Sequence, residues 1–168
     1  MSEMMTGMEI RSDDGARLRI RPVGYQPGVE PPVDPEEAAD WDDWLLIEAD
    51  ARTADGQAWS HCDPSLTVTE AGMLADWLRW QAESAAGAGA PAALLRFTEP
   101  NLAFRTQVIR RRRLELTVEF SYESLPPWMR RPLTAVYRLP LTVSADALAL
   151  AAEHWTQEVE AYPHRVIS

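Results

Sequence analysis

Only at His61-Cys62-Asp63 do three residue types able to ligate a metal or support nucleophilic catalysis adjoin in this 168-residue chain. A zinc site needs three or four converging ligands, and the other histidines, His154 and His164, lie far along the chain with no second cysteine. A cysteine nucleophile needs a base within hydrogen-bond reach. Neighbours on a strand point to opposite faces, so His61 and Cys62 do not meet if the segment is β. The expectation is a strand running into a turn at Asp63-Pro64. The 26 acidic residues could supply a carboxylate pair of the glycosidase kind. Such a pair works only where a cleft separates the two pKa values, and no spacing here announces one. A Gly-rich phosphate loop, a G-x-S-x-G elbow and an H-E-x-x-H helix are all missing. The residues point away from catalysis and ask for no cofactor and no metal.

The other chemistry open to carboxylates is attraction. Net charge is −10, and all 16 basic residues are arginine. No basic residue lies between Arg21 and Arg52, where Glu30, Asp34, Glu36, Glu37, Asp40, Asp42, Asp43, Glu48 and Asp50 accumulate. Such a field repels phosphate backbones and favours a basic protein partner. Asp40, Asp42 and Asp43 in a loop, with Glu48 and Asp50 on a wet strand face, are the candidate partner-binding residues. The competing reading of the three aspartates is a solvated loop. The one basic cluster, Arg110–Arg113 with Arg105 before it, lies between two strands. Cross-strand pairing with Glu115 or Glu119 is favoured there over an RNA-binding patch, so direct nucleic-acid binding is not expected. No apolar run reaches the length of a membrane span, no signal peptide opens the sequence, and the single cysteine fits a reducing compartment. A cytoplasmic location is expected.

The elements that must position these residues follow from periodicity. Residues 8–23 read as two strands around Asp13-Asp14-Gly15. Residues 25–40, with Pro27, Pro31, Pro32 and Pro35, read as an acidic, Pro-rich surface loop inside one domain spanning 1–168. Trp44–Arg52 puts Leu45, Ile47, Ala49 and Ala51 on one face, and Ala58–Cys62 returns beside it. Thr67 or Thr69 caps a helix carrying Met73, Leu74, Trp77, Leu78 and Gln81, which ends in the Gly87–Pro91 stretch. Ala93–Thr98 and Leu102–Ile109 flank Glu99-Pro100-Asn101. Leu114 to Tyr122 alternates strictly, and Ala135 to Val143 alternates with Pro140 marking an edge or a bulge. Ser144 caps a last helix with Leu148, Ala151 or Ala152, Trp155 and Val159 buried. Trp80 and Trp128 fall outside the apolar stripes, as exposed interface anchors would. The order strands, helix, strands, helix gives an α+β fold: mainly antiparallel sheet packed by two amphipathic helices, a four-strand-plus-helix unit occurring twice.

Several strings in this order carry a resemblance. Asp43-Trp44-Leu45 is followed by Trp59, Asp63-Pro64, Leu66 and Asp76-Trp77-Leu78. Phe97-Thr98-Glu99-Pro100-Asn101-Leu102-Ala103-Phe104 comes next, then Leu125-Pro126-Pro127-Trp128, Tyr137-x-Leu, Glu158 and Tyr162-Pro163-x-Arg165. Over about residues 41–165 the chain resembles the WapI family of bacterial immunity proteins, small cytoplasmic partners of wall-associated contact-dependent toxins. The acidic, Pro-rich stretch before Asp40 is not part of that pattern. The resemblance implies neutralisation of a cognate toxin domain by binding, without catalysis, and carries no catalytic residues across. Such toxins are often nucleases, whose basic clefts suit an acidic surface. The competing readings are an interaction or scaffold domain with a different partner, and an enzyme using the acids or Cys62.

Overall fold

Alternation of apolar and polar residues leaves a strand one face to bury, and among the described residues eight strands lie in two runs of four. In the computed structural model, which describes residues 6–87, 92–129 and 132–165, each run forms an antiparallel meander and each meander leads into a helix. The first sheet is β1 (Met8–Arg11), β2 (Arg17–Tyr25), β3 (Trp44–Arg52) and β4 (Ala58–Thr67), in that spatial order. The second is β5 (Ala93–Arg96), β6 (Leu102–Arg110), β7 (Arg113–Ser121) and β8 (Val136–Ser144). The helices are α1 (Pro35–Ala39), α2 (Val68–Ala86) and α3 (Ala145–Glu160). The fold is α+β, as the order of elements implied.

One apolar core draws on both sheets and on α2 and α3. Trp155 is fully buried, and its indole N–H donates to the Ala71 carbonyl at 2.8 Å, pinning α3 to α2. Trp59 donates to the Ser124 carbonyl at 3.1 Å and stacks edge-on with Phe120 and Tyr137, which joins β4 to the second sheet. The β1–β2 turn is stitched to β8: Asp13 N–H donates to the Thr142 carbonyl, and Thr142 N–H to Ser12 Oγ.

The helix signals resolve clearly. Thr67, not Thr69, caps α2: its Oγ1 accepts from Glu70 N–H at 3.2 Å, and Glu70 Oε1 accepts from Thr67 N–H at 3.1 Å. The second oxygen of Glu70 accepts from Thr98 N–H at 2.7 Å and fixes the start of the β5–β6 turn. Ser144 caps α3, whose buried stripe uses both Ala151 and Ala152.

Several expectations are corrected. β4 does not stop before Asp63-Pro64 but runs on to Thr67 through a bulge opposite Leu45 and Leu46. This is tolerated because β4 is an edge strand, where the missing proline N–H breaks no ladder. Pro140 sits on β8, the edge of the other sheet. Met73 is half-exposed, because the buried stripe of α2 passes through Ala71, Leu74, Ala75, Leu78 and Ala82. Tyr122 leaves the apolar face of β7: it takes φ +53°, opens a 3-10 turn over Tyr122–Ser124, and is half-exposed. Within residues 25–40 the segment Pro35–Ala39 winds into a short helix, capped by Asp34 with proline at its start. Of the Gly87–Pro91 helix stop, Gly87 is the C-cap; residues 88–91 lie outside the described residues.

Candidate functional site

His61 and Cys62 sit opposite Ala49 and Glu48 on β3, so the histidine turns inward and the cysteine outward. Burial pushes the His61 pKa down to about 4, against the charge of Glu123, and leaves the ring neutral. Neither ring nitrogen has a hydrogen-bond partner among the described residues. The exposed Cys62 thiol is pushed up, first by partial burial and then by Glu48 and Asp63, so it is not an activated thiolate. Among the described residues no group of three or more His, Cys, Asp or Glu side chains is arranged to hold a metal ion.

The five acids singled out on β3 and before it fare differently from one another. Asp40 follows α1 and is exposed. Asp42 accepts from Thr69 N–H at the start of α2 (3.2 Å) and faces His164. Asp43 is fully buried beneath Arg165, which donates through its backbone N–H (2.7 Å) and Nε (2.9 Å), while Trp41 adds its indole N–H (3.1 Å). Burial acts to raise its pKa, but these donors outweigh it and hold the carboxyl below the usual range. The Arg165 guanidinium also lies over the Tyr25 ring at 4.3 Å. Glu48 pairs with Arg21 across the β2–β3 ladder (2.9 Å), and Asp50 faces the same wet side opposite Arg19. Asp42 and Asp43 thus meet the C-terminal segment, whereas Glu48 and Asp50 line a sheet face.

The arginine run forms the β6–β7 turn, with Arg112 at φ +63°. Its partners are not Glu115 and Glu119: Arg112 pairs with Asp146 (2.8 Å) and Arg113 with Asp13. Glu119 is instead held by Arg138 (2.9 Å) and Arg105 (3.3 Å). Burial acts to raise its pKa and those two arginines overcome it. Both outlying tryptophans are exposed, Trp80 at 65% and Trp128 at 44%, and Trp128 also stacks edge-on against Trp59 and Tyr137.

What spacing did not reveal is a cavity of about 370 Å³ where the ends of the two sheets meet. Asp63 of β4, Glu99 of the β5–β6 turn and Glu123 of the 3-10 turn supply three carboxylates. Trp44 and Pro64 line it beside the amides of Gln26 and Asn101. Asp63 and Glu99 are both pushed up, first by partial burial and then by the charge of Glu123; Asp63 adds to the shift of Glu99. Asn101 is 1% exposed. Its backbone carbonyl is fixed by Ser121 N–H (3.1 Å) and by Ser124 Oγ–H, yet its side-chain oxygen has no donor among the described residues. The three acids are 36 and 24 residues apart in sequence (63 to 99, 99 to 123), so only the strand register assembles them. The legible trace was the pair of strings Asp63-Pro64 and Glu99-Pro100-Asn101, both taken as turns.

The model of the Immunity protein WapI-like family matches residues 9–163. It therefore takes in the first two strands and the acidic, Pro-rich stretch that the sequence resemblance had left outside. No curated protein matches the chain. Among solved structures, a chain described as "Structure of the plant transcriptional regulator PBF-2" is similar at 10% identity and a TM-score of 0.39, over 95% of this chain and 82% of that one. A likeness at that score bears on neither fold nor function.

Proposed function

The chain belongs to the Immunity protein WapI-like family, and from that premise we propose that it neutralises a cognate bacterial toxin domain by binding it one to one, without catalysis. The observation that carries this reading is the family match, which runs over residues 9–163 and so spans both sheets and both long helices. Among the described residues no helix is long and apolar enough to cross a membrane. In this reading the place of action is the cytoplasm of the producing cell.

The charge suggests what the target looks like. A net charge of −10 suits a basic toxin surface, such as the phosphate-binding cleft of a nuclease. Asp40, Asp42, Glu48 and Asp50 are the steering surface in this reading. Asp43 adds to the field but is engaged with Arg165. Opposed fields raise encounter rates to on the order of 10⁸ M⁻¹s⁻¹, which suits a protein that must reach a toxin before the toxin reaches its substrate.

The test is protection. The tagged chain is used as bait in its own bacterium, and the toxin-like domain recovered with it is expressed in a second bacterium with and without the chain. Growth restored only by the intact chain, with a one-to-one complex by light scattering, is the expected result. Loss of growth despite co-expression, or turnover of the toxin by catalytic amounts of the chain, refutes the proposal. Asp40→Arg with Asp50→Arg should slow association about tenfold at low salt and flatten its salt dependence. Unchanged stopped-flow rates would remove these residues from the steering surface.

A further inference from the structure

Among the described residues the cavity between the sheet ends gathers three carboxylates and no cation. Asp63, Glu99 and Glu123 bring up to three negative charges to it, and among the described residues none of them pairs with an arginine or histidine. Three acids described above have a cation of their own: Asp43 has Arg165, Glu48 has Arg21, and Glu119 has two arginines. The side-chain oxygen of Asn101, almost completely buried at the cavity wall, independently lacks a hydrogen-bond donor. Leaving such an acceptor unsatisfied is costly, so the site asks for a ligand that brings N–H groups as well as positive charge.

Two features narrow the ligand. Among the described residues these acids do not form a group of three arranged to hold a metal ion, and the space of about 370 Å³ is much larger than an ion needs. Trp44 lines the same cavity, and an indole ring attracts a weakly hydrated planar cation. A guanidinium offers five N–H donors in a fixed plane, enough for one to each of three carboxylates and one to an amide oxygen. An ammonium offers three from a point charge that holds its water more tightly.

We propose that this cavity receives an arginine side chain presented by the protein partner, its guanidinium held by Asp63, Glu99 and Glu123, hydrogen-bonded to Asn101, and covered by Trp44. The assignment rests on the binding function above and identifies one anchor of that interface. Arginine is among the residues most often found to dominate interface energetics, and a seat already lined with carboxylates avoids the cost of assembling one on contact. Asp63 and Glu99 are raised first by burial and then by the charge of Glu123, and an arriving cation offsets both costs.

The experiment needs no toxin. N-acetyl-L-arginine amide is titrated into the ¹⁵N-labelled full chain, following the Asn101 side-chain amide and the Trp44 indole N–H. N-acetyl-L-citrulline amide, its neutral isostere, N-acetyl-L-lysine amide and calcium chloride serve as competing probes. Expected are saturable millimolar binding of the arginine probe, weaker binding of lysine, none of citrulline, and a loss on the order of tenfold in Glu123→Gln and in Glu99→Gln. Equal shifts with citrulline, no shift with arginine, tighter binding of calcium, or full affinity in both variants would overturn the proposal. Thermal melts of the two isosteric variants, with Asp63→Asn as a third, exclude misfolding as the cause of a loss. The recovered toxin separates the two levels of the argument. If it binds Glu99→Gln/Glu123→Gln as tightly as the wild type, the arginine seat falls and immunity stands. If the arginine probe binds but no toxin is neutralised, the immunity reading falls and the seat remains.

Discussion

Asp43 and Asp63 begin as similar residues, one just before β3 and the other within its neighbour β4, and they end in opposite circumstances. Asp43 is buried and receives three donors from Arg165 and Trp41, so its negative charge is fully answered inside the fold. Asp63 shares a cavity with Glu99 and Glu123 and has no cation of its own among the described residues. The same contrast separates the arginines. Arg165 closes the C-terminal segment over Asp43 and Tyr25, while the run Arg110–Arg113 sits on a turn and leaves the three acids alone. Asp43 is closed to direct contact with a partner because the fold has already given it an arginine, and Asp63 has none among the described residues. The density of acids along the chain does not draw that distinction.

The largest way to break that contrast is Arg165→Ala. It strands a buried carboxylate and should cost about 3 kcal/mol in urea denaturation. Asp43→Asn in the same chain should restore part of this loss, because the charge that needed a partner is gone. A cost below about 1 kcal/mol would mean that the clasp is not what holds the C-terminal segment.

The pH dependence should fall next. His61 is neutral in the folded chain down to about pH 4 but takes a proton near 6.5 when unfolded. The unfolded state thus binds more protons across that window, and stability falls by about 3 kcal/mol as pH drops through it. Asp63 and Glu99 work in the other direction: their raised pKa values make the folded state bind protons first, so acidification relieves them. Asp43, held low, gives up its stabilisation only below the ordinary aspartate range. Replacing His61 with Gln should flatten the slope between pH 6.5 and about 4, and a chemical-denaturation series at stepped pH checks it. An unchanged slope would place the linkage elsewhere.

The smallest effect is the most pointed. In the free chain Glu123→Gln should raise the melting temperature by about 1 °C, because it removes repulsion from two neighbours and breaks no ion pair among the described residues. The same substitution is the one expected to weaken arginine binding. A fall in melting temperature would show that Glu123 already has a stabilising partner and would erase the distinction drawn from Asp43.

Much of the fold could be read in advance. Alternation in Trp44–Arg52 and in Leu114–Phe120 put the right residues inside, and Ser144 stands where a cap belongs. Period and capping are local, and local rules survive folding. Met73 and Tyr122 failed because a stripe boundary and a strand end are set by what packs alongside them. Sequence could also count the acids at positions 40–50 but not foresee that Arg165 would cover one of them from the far end of the chain. The cavity was illegible for the same reason. Asp63 and Glu123 meet only because β4 runs past Pro64 and because β7 stops at Ser121, and neither event has a signature at a fixed spacing.

The two prolines in the outermost strands, Pro64 in β4 and Pro140 in β8, have a further effect. Each removes a donor from the rim of its sheet, so neither rim offers a continuous template on which another chain could extend the ladder. The remaining outer strands, β1 and β5, are only four residues long. A molecule built this way can be stockpiled at high concentration without polymerising through its own sheets.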